Sequence, residues 1–425
     1  MNKQIVQKIQ NDSMSTFQVI AIVICLMINM MDGFDVVAVA FAAPGIAQEL
    51  GLSPAKLGIL FSMGFLGMML GSLFLAPIAD KIGRRKTIMI CLVILSLGML
   101  ASSLAHSIEF LSAMRFITGI GIGAMLASLN TIVAEYSSDK RRSFTISFMH
   151  AGYPIGAVLG GVFTSAVLLA YFDWRAIFIF GGISSLVIIP FVYFYLPESI
   201  AFLLERRPPN SLDKINYILR KLNQPELTTL SQLGEHKMPI KPSPFTLISP
   251  QYRRVTFMLI SATFLSCAGI YYILSWMPKI MVDIGLTTQN GVTGGVLTNL
   301  GGIVGVLTLG YLASKLKLPI LVLLYGTAAM LITIFIGLAA PTTAQLYPLA
   351  LLIGIFMFGT MNGAFISLPE LFPPAIRATG SGWVIGIGRL GGIVGPLVAG
   401  YLIEAHLERH EYFIIMSIPF LISAL

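Results

Sequence analysis

Long apolar runs alternate with short polar ones along this chain. Twelve apolar segments can be marked, at roughly 17–41, 54–78, 87–106, 109–132, 144–168, 174–196, 253–276, 292–313, 318–339, 344–368, 378–402 and 411–425. Most hold about 20 residues or more, the length an α-helix needs to cross a bilayer core. The last holds 15 and falls short of a full crossing. The longest polar stretch, about 197–252, contains Pro208-Pro209, Pro242, Pro244 and a short amphipathic pattern at 211–222. It divides six segments from six. The pattern predicts an all-α membrane protein with twelve transmembrane helices. These form two six-helix halves, residues 1–196 and 253–425, joined by a cytoplasmic linker at 197–252.

Composition narrows the class. The 425 residues are 56% hydrophobic and only 11% charged, against about 25% charged in soluble domains. A soluble enzyme, a nucleic-acid binder and a disordered chain are excluded on that ground. Three cysteines, Cys25, Cys91 and Cys267, lie in separate apolar runs and form neither a disulfide framework nor a metal-binding spacing. Residues 1–16 are polar and the apolar run behind them is too long for a signal peptide, so the first segment is expected to be a retained helix.

The net charge of +8 has a topological explanation. With the N-terminus inside, 21 of the 27 Lys and Arg fall in cytoplasmic segments and four in outer loops. The positive-inside rule therefore places both termini in the cytoplasm. Nucleic acid is not needed as a partner; the lipid bilayer is.

The halves repeat each other. Ala76-Pro77-Ile78-Ala79-Asp80-Lys81-Ile82-Gly83-Arg84-Arg85 follows the second span, and Gly310-Tyr311-Leu312-Ala313-Ser314-Lys315 follows the eighth. Glu135 and Arg142 recur as Glu370 and Arg377, and Gly156 and Gly160 as Gly391 and Gly395, at nearly the same offset along the chain. Two related six-helix halves are a transporter architecture, with the substrate site between them near the midplane.

The loop Asp80-Lys81-Ile82-Gly83-Arg84-Arg85 resembles the signature loop of the major facilitator superfamily, with Ala76 where the family pattern has Gly. Asp32-Gly33-Phe34-Asp35 in the first span, with Leu196-Pro197-Glu198-Ser199 closing the sixth, is similar to the aromatic acid:H⁺ symporter branch. The resemblance covers nearly the whole chain. It implies transport of benzoate-like acids, hydroxybenzoates or ring-cleavage dicarboxylates such as cis,cis-muconate, in a bacterial-type inner membrane.

Ionisable groups in hydrocarbon are costly and mark function. Asp32, Asp35, Arg115, His150 and Arg389 lie well inside spans. Asp32 and Asp35 share a helix face at i and i+3. Two carboxyls that close titrate as a unit and suit a proton carrier; alternatively one of them pairs with an arginine and locks two helices. Arg115 lies at a similar depth on the fourth span and can either make that pair or serve function, as a relay or by binding a substrate carboxylate. Arg389, in a half with no acidic residue inside a span, suits a substrate carboxylate held in two-pronged fashion. His150 could contact substrate, relay protons or serve packing alone. Phe34, Tyr153, Tyr272 and Trp383 are candidate ring contacts, and Tyr271 and Trp276 belong to the same pool, with Trp276 expected to anchor at the membrane interface. Asp80, Gly83, Arg84 and Arg85 are expected to gate the cytoplasmic side, with Asp80 able to cap a helix N-terminus.

The reading is a proton-coupled symporter, a monomer importing a small organic carboxylate with protons as its only coupling ion and no cofactor or metal. A proton-coupled exporter of drugs or other small molecules is the alternative. No metalloprotease, hydrolase or Cys/His pattern points to an enzyme.

Overall fold

A computed structural model describes residues 14–75, 78–138, 142–222, 224, 226–228, 244–313, 315–339, 343–372 and 377–425. Ala76 and Ser314 lie outside these residues, as do the side chains of Asp80, Arg142, Glu370 and Arg377. All secondary structure among the described residues is helical.

Six helices form the first half: α1 (Thr16–Leu50), α2 (Pro54–Leu70, running on through Gly71–Leu75), α3 (Arg84–Ser103), α4 (Ile108–Tyr136), α5 (Arg142–Phe163, running on to Tyr171) and α6 (Arg175–Tyr195). The second half comprises α7 (Arg253–Asp283), α8 (Thr288–Ala313), α9 (Leu318–Leu338), α10 (Thr343–Leu371), α11 (Arg377–Gly388 and Leu390–Glu404) and α12 (Arg409–Ala424). Eleven of these are long and apolar enough to span a membrane among the described residues; α12, at 16 residues, is the short one. Between the halves, Ser211–Lys221 is helical, as the amphipathic pattern implies.

Helix α1 outruns its predicted end and reaches Leu50. Ser15 and Gln18 form a reciprocal cap at its start. Pro44 does not stop it, because Ala42, Ala43 and Ile46 are buried and hold the last turns to the core. It ends at Gly51, whose left-handed backbone (φ 59°) suits a residue without Cβ.

Each half packs the same way. In the first, α1 lies on α5, α2 on α4 and α3 on α6; in the second, α7 lies on α11, α8 on α10 and α9 on α12. Glycines allow the closest of these contacts. A Cβ at Gly67 would overlap the Phe116 carbonyl, and one at Gly301 the Leu351 carbonyl. A Cβ at Gly156 would overlap the Met30 carbonyl, and one at Gly391 the Phe264 carbonyl. Gly67 and Gly301, like Gly156 and Gly391, are related by the offset of the sequence repeat, which is therefore also a repeat of backbone contacts.

The halves meet through α2 with α11, α5 with α8 and α1 with α7. Their hydrogen bonds gather at one end of the molecule. Glu404 accepts from the Ser53 hydroxyl (2.8 Å) and the Ala55 amide (2.7 Å), capping α2 from the other half. Ser62 donates to the Ile393 carbonyl (2.7 Å), and Gln289 on α8 donates to the Leu169 carbonyl (2.9 Å). Trp276 is sealed here as well, 2% exposed, donating to the Pro396 carbonyl (3.1 Å) and meeting Phe61 edge to face. It is not an interface anchor. Its polar N–H finds a backbone acceptor inside the protein, so the ring can be buried outright.

Candidate functional site

The site is assembled around α1. Gly33 has no side chain, and a Cβ there would overlap the Tyr153 carbonyl, so α5 lies directly on α1 at that level. This contact sets Asp32 beside Tyr153. One turn further, Asp35 meets Arg115 of α4 at 2.9 Å, with both residues buried. The Arg115 guanidinium also lies over the Phe178 ring at 5.1 Å. Its Nε and Nη2 make no hydrogen bond. A cavity of about 20 Å³ borders the pair, lined among others by Phe61, Phe65 and Ser275, with room for one water. Of the two roles left open for Arg115, the geometry realises the ion pair.

Asp32 is arranged differently. It is 4% exposed, and its Oδ1 is buried without a hydrogen-bond partner. The charge nearest to it from the other half is Arg389, close enough to act on it electrostatically. Arg389 sits at a break in α11, between the pieces ending at Gly388 and starting at Leu390. Its amide still bonds the Ile385 carbonyl (3.1 Å), while its carbonyl accepts from Gly392 (2.9 Å), a locally tightened turn. It is half-buried, and its charge reaches His150, Tyr153 and Tyr271 as well as Asp32. Asp32 and Arg389 thus lie within electrostatic reach of each other across the two halves. Under the repeat they are not equivalent: Ser266 and Pro154 occupy the matching positions.

The remaining predicted residues divide. Tyr153 belongs to the cluster, and its hydroxyl is buried without a well-formed hydrogen bond. His150 is exposed and pairs with Asn130 at 2.9 Å, within reach of the Arg389 charge. Phe34 is 1% exposed and fills the first half, edge to face with Phe180 and against Gly160. Tyr272 is fully buried against Phe413 of α12. Trp383 is 45% exposed on the part of α11 before the break. Neither Phe34 nor Tyr272 joins the cluster.

Tyr271 does join it. Its ring packs on Phe65 of α2 (centroids 4.3 Å apart), and its phenol neighbours Tyr153. Helical phase separates it from Tyr272: the positions are about 100° apart on α7. The counterpart signal in the sequence was Gly392, which clears the space its ring occupies.

At the end of the first half near the linker, Gly83 takes φ +105°, a conformation open to glycine, and a Cβ there would overlap the Glu198 carboxylate. Glu198 accepts from the amides of Arg84 (2.7 Å) and Arg85 (3.1 Å), capping α3. The Arg85 guanidinium donates to the Tyr193 carbonyl. Glu135 in turn accepts from the Ser199 hydroxyl and the Ile200 amide, both at 2.8 Å. The helix-capping role expected of Asp80 is filled at α3 by Glu198; the Asp80 side chain lies outside the described residues.

Comparison with known proteins agrees with this architecture. The Major Facilitator Superfamily profile matches residues 24–370. A gallate transporter of Pseudomonas putida is 31% identical, over 98% of this chain and 92% of its own. A 4-hydroxybenzoate transporter of Acinetobacter baylyi is 30% identical, over 93% of this chain and 88% of its own. A benzoate transport protein of the same organism is 27% identical, over 97% and 89%. Among solved structures, a bacterial homologue of the human lysosomal transporter Spinster superposes with a TM-score of 0.73 at 16% identity, covering 97% of this chain and 96% of that one. The repeated halves, the site between them and the profile match identify the chain as a multi-pass membrane transporter, not an enzyme, belonging to the Major Facilitator Superfamily.

Proposed function

We propose that this protein imports aromatic carboxylates together with protons by alternating access. One observation carries the reading: Asp35 is neutralised within its own half by Arg115, whereas Asp32 keeps an unpartnered buried oxygen and lies within reach of the Arg389 charge of the other half. A guanidinium near the midplane suits a carboxylate. The gallate, 4-hydroxybenzoate and benzoate transporters support an aromatic acid as the substrate. Arg389 is the one arginine well inside a span of that half, which favours a monocarboxylate over cis,cis-muconate.

The coupling follows from charge balance. In the empty site the Asp32 carboxylate balances Arg389. The substrate carboxylate takes over Arg389, and Asp32 takes up a proton. The net charge of the site stays constant as the halves rock, so no bare charge is carried through a low-dielectric interior. One proton with one monoanion is electroneutral. With both termini cytoplasmic, the sealed end carrying Glu404 is outer, the conformation is inward-facing, and the substrate leaves past His150. Asp80, Gly83, Arg84 and Arg85 belong to the cytoplasmic gate.

The test is uptake of labelled benzoate, 4-hydroxybenzoate, gallate and cis,cis-muconate into proteoliposomes under an inward proton gradient. Saturable accumulation of the aromatic acids, abolished when the gradient is collapsed, is expected. Gradient-driven movement of organic cations without any acid would refute the reading.

A further inference from the structure

Two phenols from opposite halves meet within reach of the Arg389 charge, close enough to interact with each other, and the Tyr153 hydroxyl makes no well-formed hydrogen bond. Tyr153 of α5 and Tyr271 of α7 lie side by side, both within reach of the Arg389 and Asp32 charges. The Tyr153 hydroxyl is buried with no hydrogen bond of good geometry. Thr263 and Ser266 on α7 also have unpartnered hydroxyls. A Ser or Thr on a helix can turn back to the carbonyl four residues earlier. A phenol hydroxyl stands too far from its own backbone for that and depends on a partner from elsewhere.

Both rings are placed by glycines. Gly33 brings the Tyr153 backbone onto α1. Gly392, three residues past Arg389, leaves room for the Tyr271 ring; a Cβ there would come within 2.8 Å of its Cδ2. Phe65 of α2 supports the ring from the first half. Towards the sealed end lie Phe61 with Trp276 and Ser62 with Ile393. The Tyr271 ring therefore lies between that end and the Arg389 level.

We propose that Tyr153 and Tyr271 complete a carboxylate clamp with Arg389, each phenol donating to the bound anion. This rests on the proposed aromatic-acid function. A carboxylate offers about four acceptor sites, and a two-pronged guanidinium takes two. A buried anion needs the others filled. Arg389 and Tyr271 supply donors from the second half and Tyr153 from the first, so the anion ties the halves together. The clamp reads the carboxylate and is indifferent to substituents on the ring.

The test is the affinity of purified protein for benzoate, 4-hydroxybenzoate and benzamide, measured by calorimetry for wild type, Tyr153→Phe and Tyr271→Phe. Each variant is expected to bind both acids about 10-fold or more weakly, to the same degree, since each loses one hydrogen bond to a charged group. Benzamide is expected to bind poorly throughout. The number of protons moved per substrate in proteoliposomes should be unchanged. Without ligand, Tyr153→Phe should melt at the same temperature as wild type or higher, because a buried hydroxyl without a well-formed hydrogen bond is removed; a packing role would lower it. Unchanged affinities in both variants overturn the clamp while leaving the function standing. Weakening confined to 4-hydroxybenzoate also overturns it, since the phenols then read a ring hydroxyl. Wild type that binds neither acid overturns the function and the clamp with it.

Discussion

Asp32 and Asp35 stand one turn apart on α1, yet their surroundings give them different work. Asp35 is committed to Arg115 at 2.9 Å in a buried pair. Replacing it by Asn leaves a guanidinium uncompensated in the interior, a loss of about 3–5 kcal/mol. Asp35→Asn should therefore melt well below wild type in detergent, and Asp35→Leu combined with Arg115→Leu should recover most of that loss. Asp32 has no such partner among the described residues of its own half. Asp32→Asn should fold normally, keep exchanging labelled for unlabelled substrate across the membrane, and lose pH dependence of exchange. A melting loss equal to that of Asp35→Asn would place Asp32 among the packing residues. The five ionisable residues could be picked out from the sequence because hydrocarbon makes them expensive. Their division of labour could not, since it depends on which helix face meets α4 and which turns toward the other half.

At the scale of helices, glycine contacts set the geometry. A Cβ at Gly156 or Gly391 would overlap a carbonyl of the facing helix. Overpacking of this kind costs about 1–3 kcal/mol. Gly156→Ala and Gly391→Ala should each lower the melting temperature by similar amounts, because they perturb equivalent contacts of the repeat. Gly382→Ala, in open space on α11, should leave it unchanged. Twelve helices and the repeat were legible from hydropathy and from motifs that recur at a shared offset. The break at Arg389 was not, because Gly386, Gly388 and Gly391 flank it without fixing where the turn tightens. Tyr271 and Tyr272 could not be told apart for a related reason: on a helix apolar nearly all round, periodicity does not say which face turns to the partner half.

For the whole molecule, the closed end is held by a carboxylate. Glu404 caps α2 from the opposite half, joining the α2 amide end to the end of α11. Glu404→Gln weakens that cap and should shift the halves toward opening at this end. A cysteine placed at Ser62, beneath the seal, should then react faster with a membrane-impermeant thiol reagent added outside, while Cys25, Cys91 and Cys267 stay buried. An unchanged rate would mean that the apolar contacts of Phe61 and Trp276 close the end unaided. Glu404 was invisible in the sequence, and Glu135 and Glu198 stood out there only as motif residues without a role, because each lies at a helix end where a charged residue is unexceptional. Their roles come from the folding of distant segments onto one another.

The most direct measurement is simultaneous recording of benzoate and proton uptake in proteoliposomes carrying wild type or Asp32→Asn. Wild type should take up about one proton with each benzoate, as charge balance at the Asp32–Arg389 site requires, and Asp32→Asn should exchange benzoate with no proton movement and no accumulation. Proton-coupled accumulation by Asp32→Asn equal to that of wild type would contradict the role of Asp32 as the carrier that trades places with the substrate at Arg389.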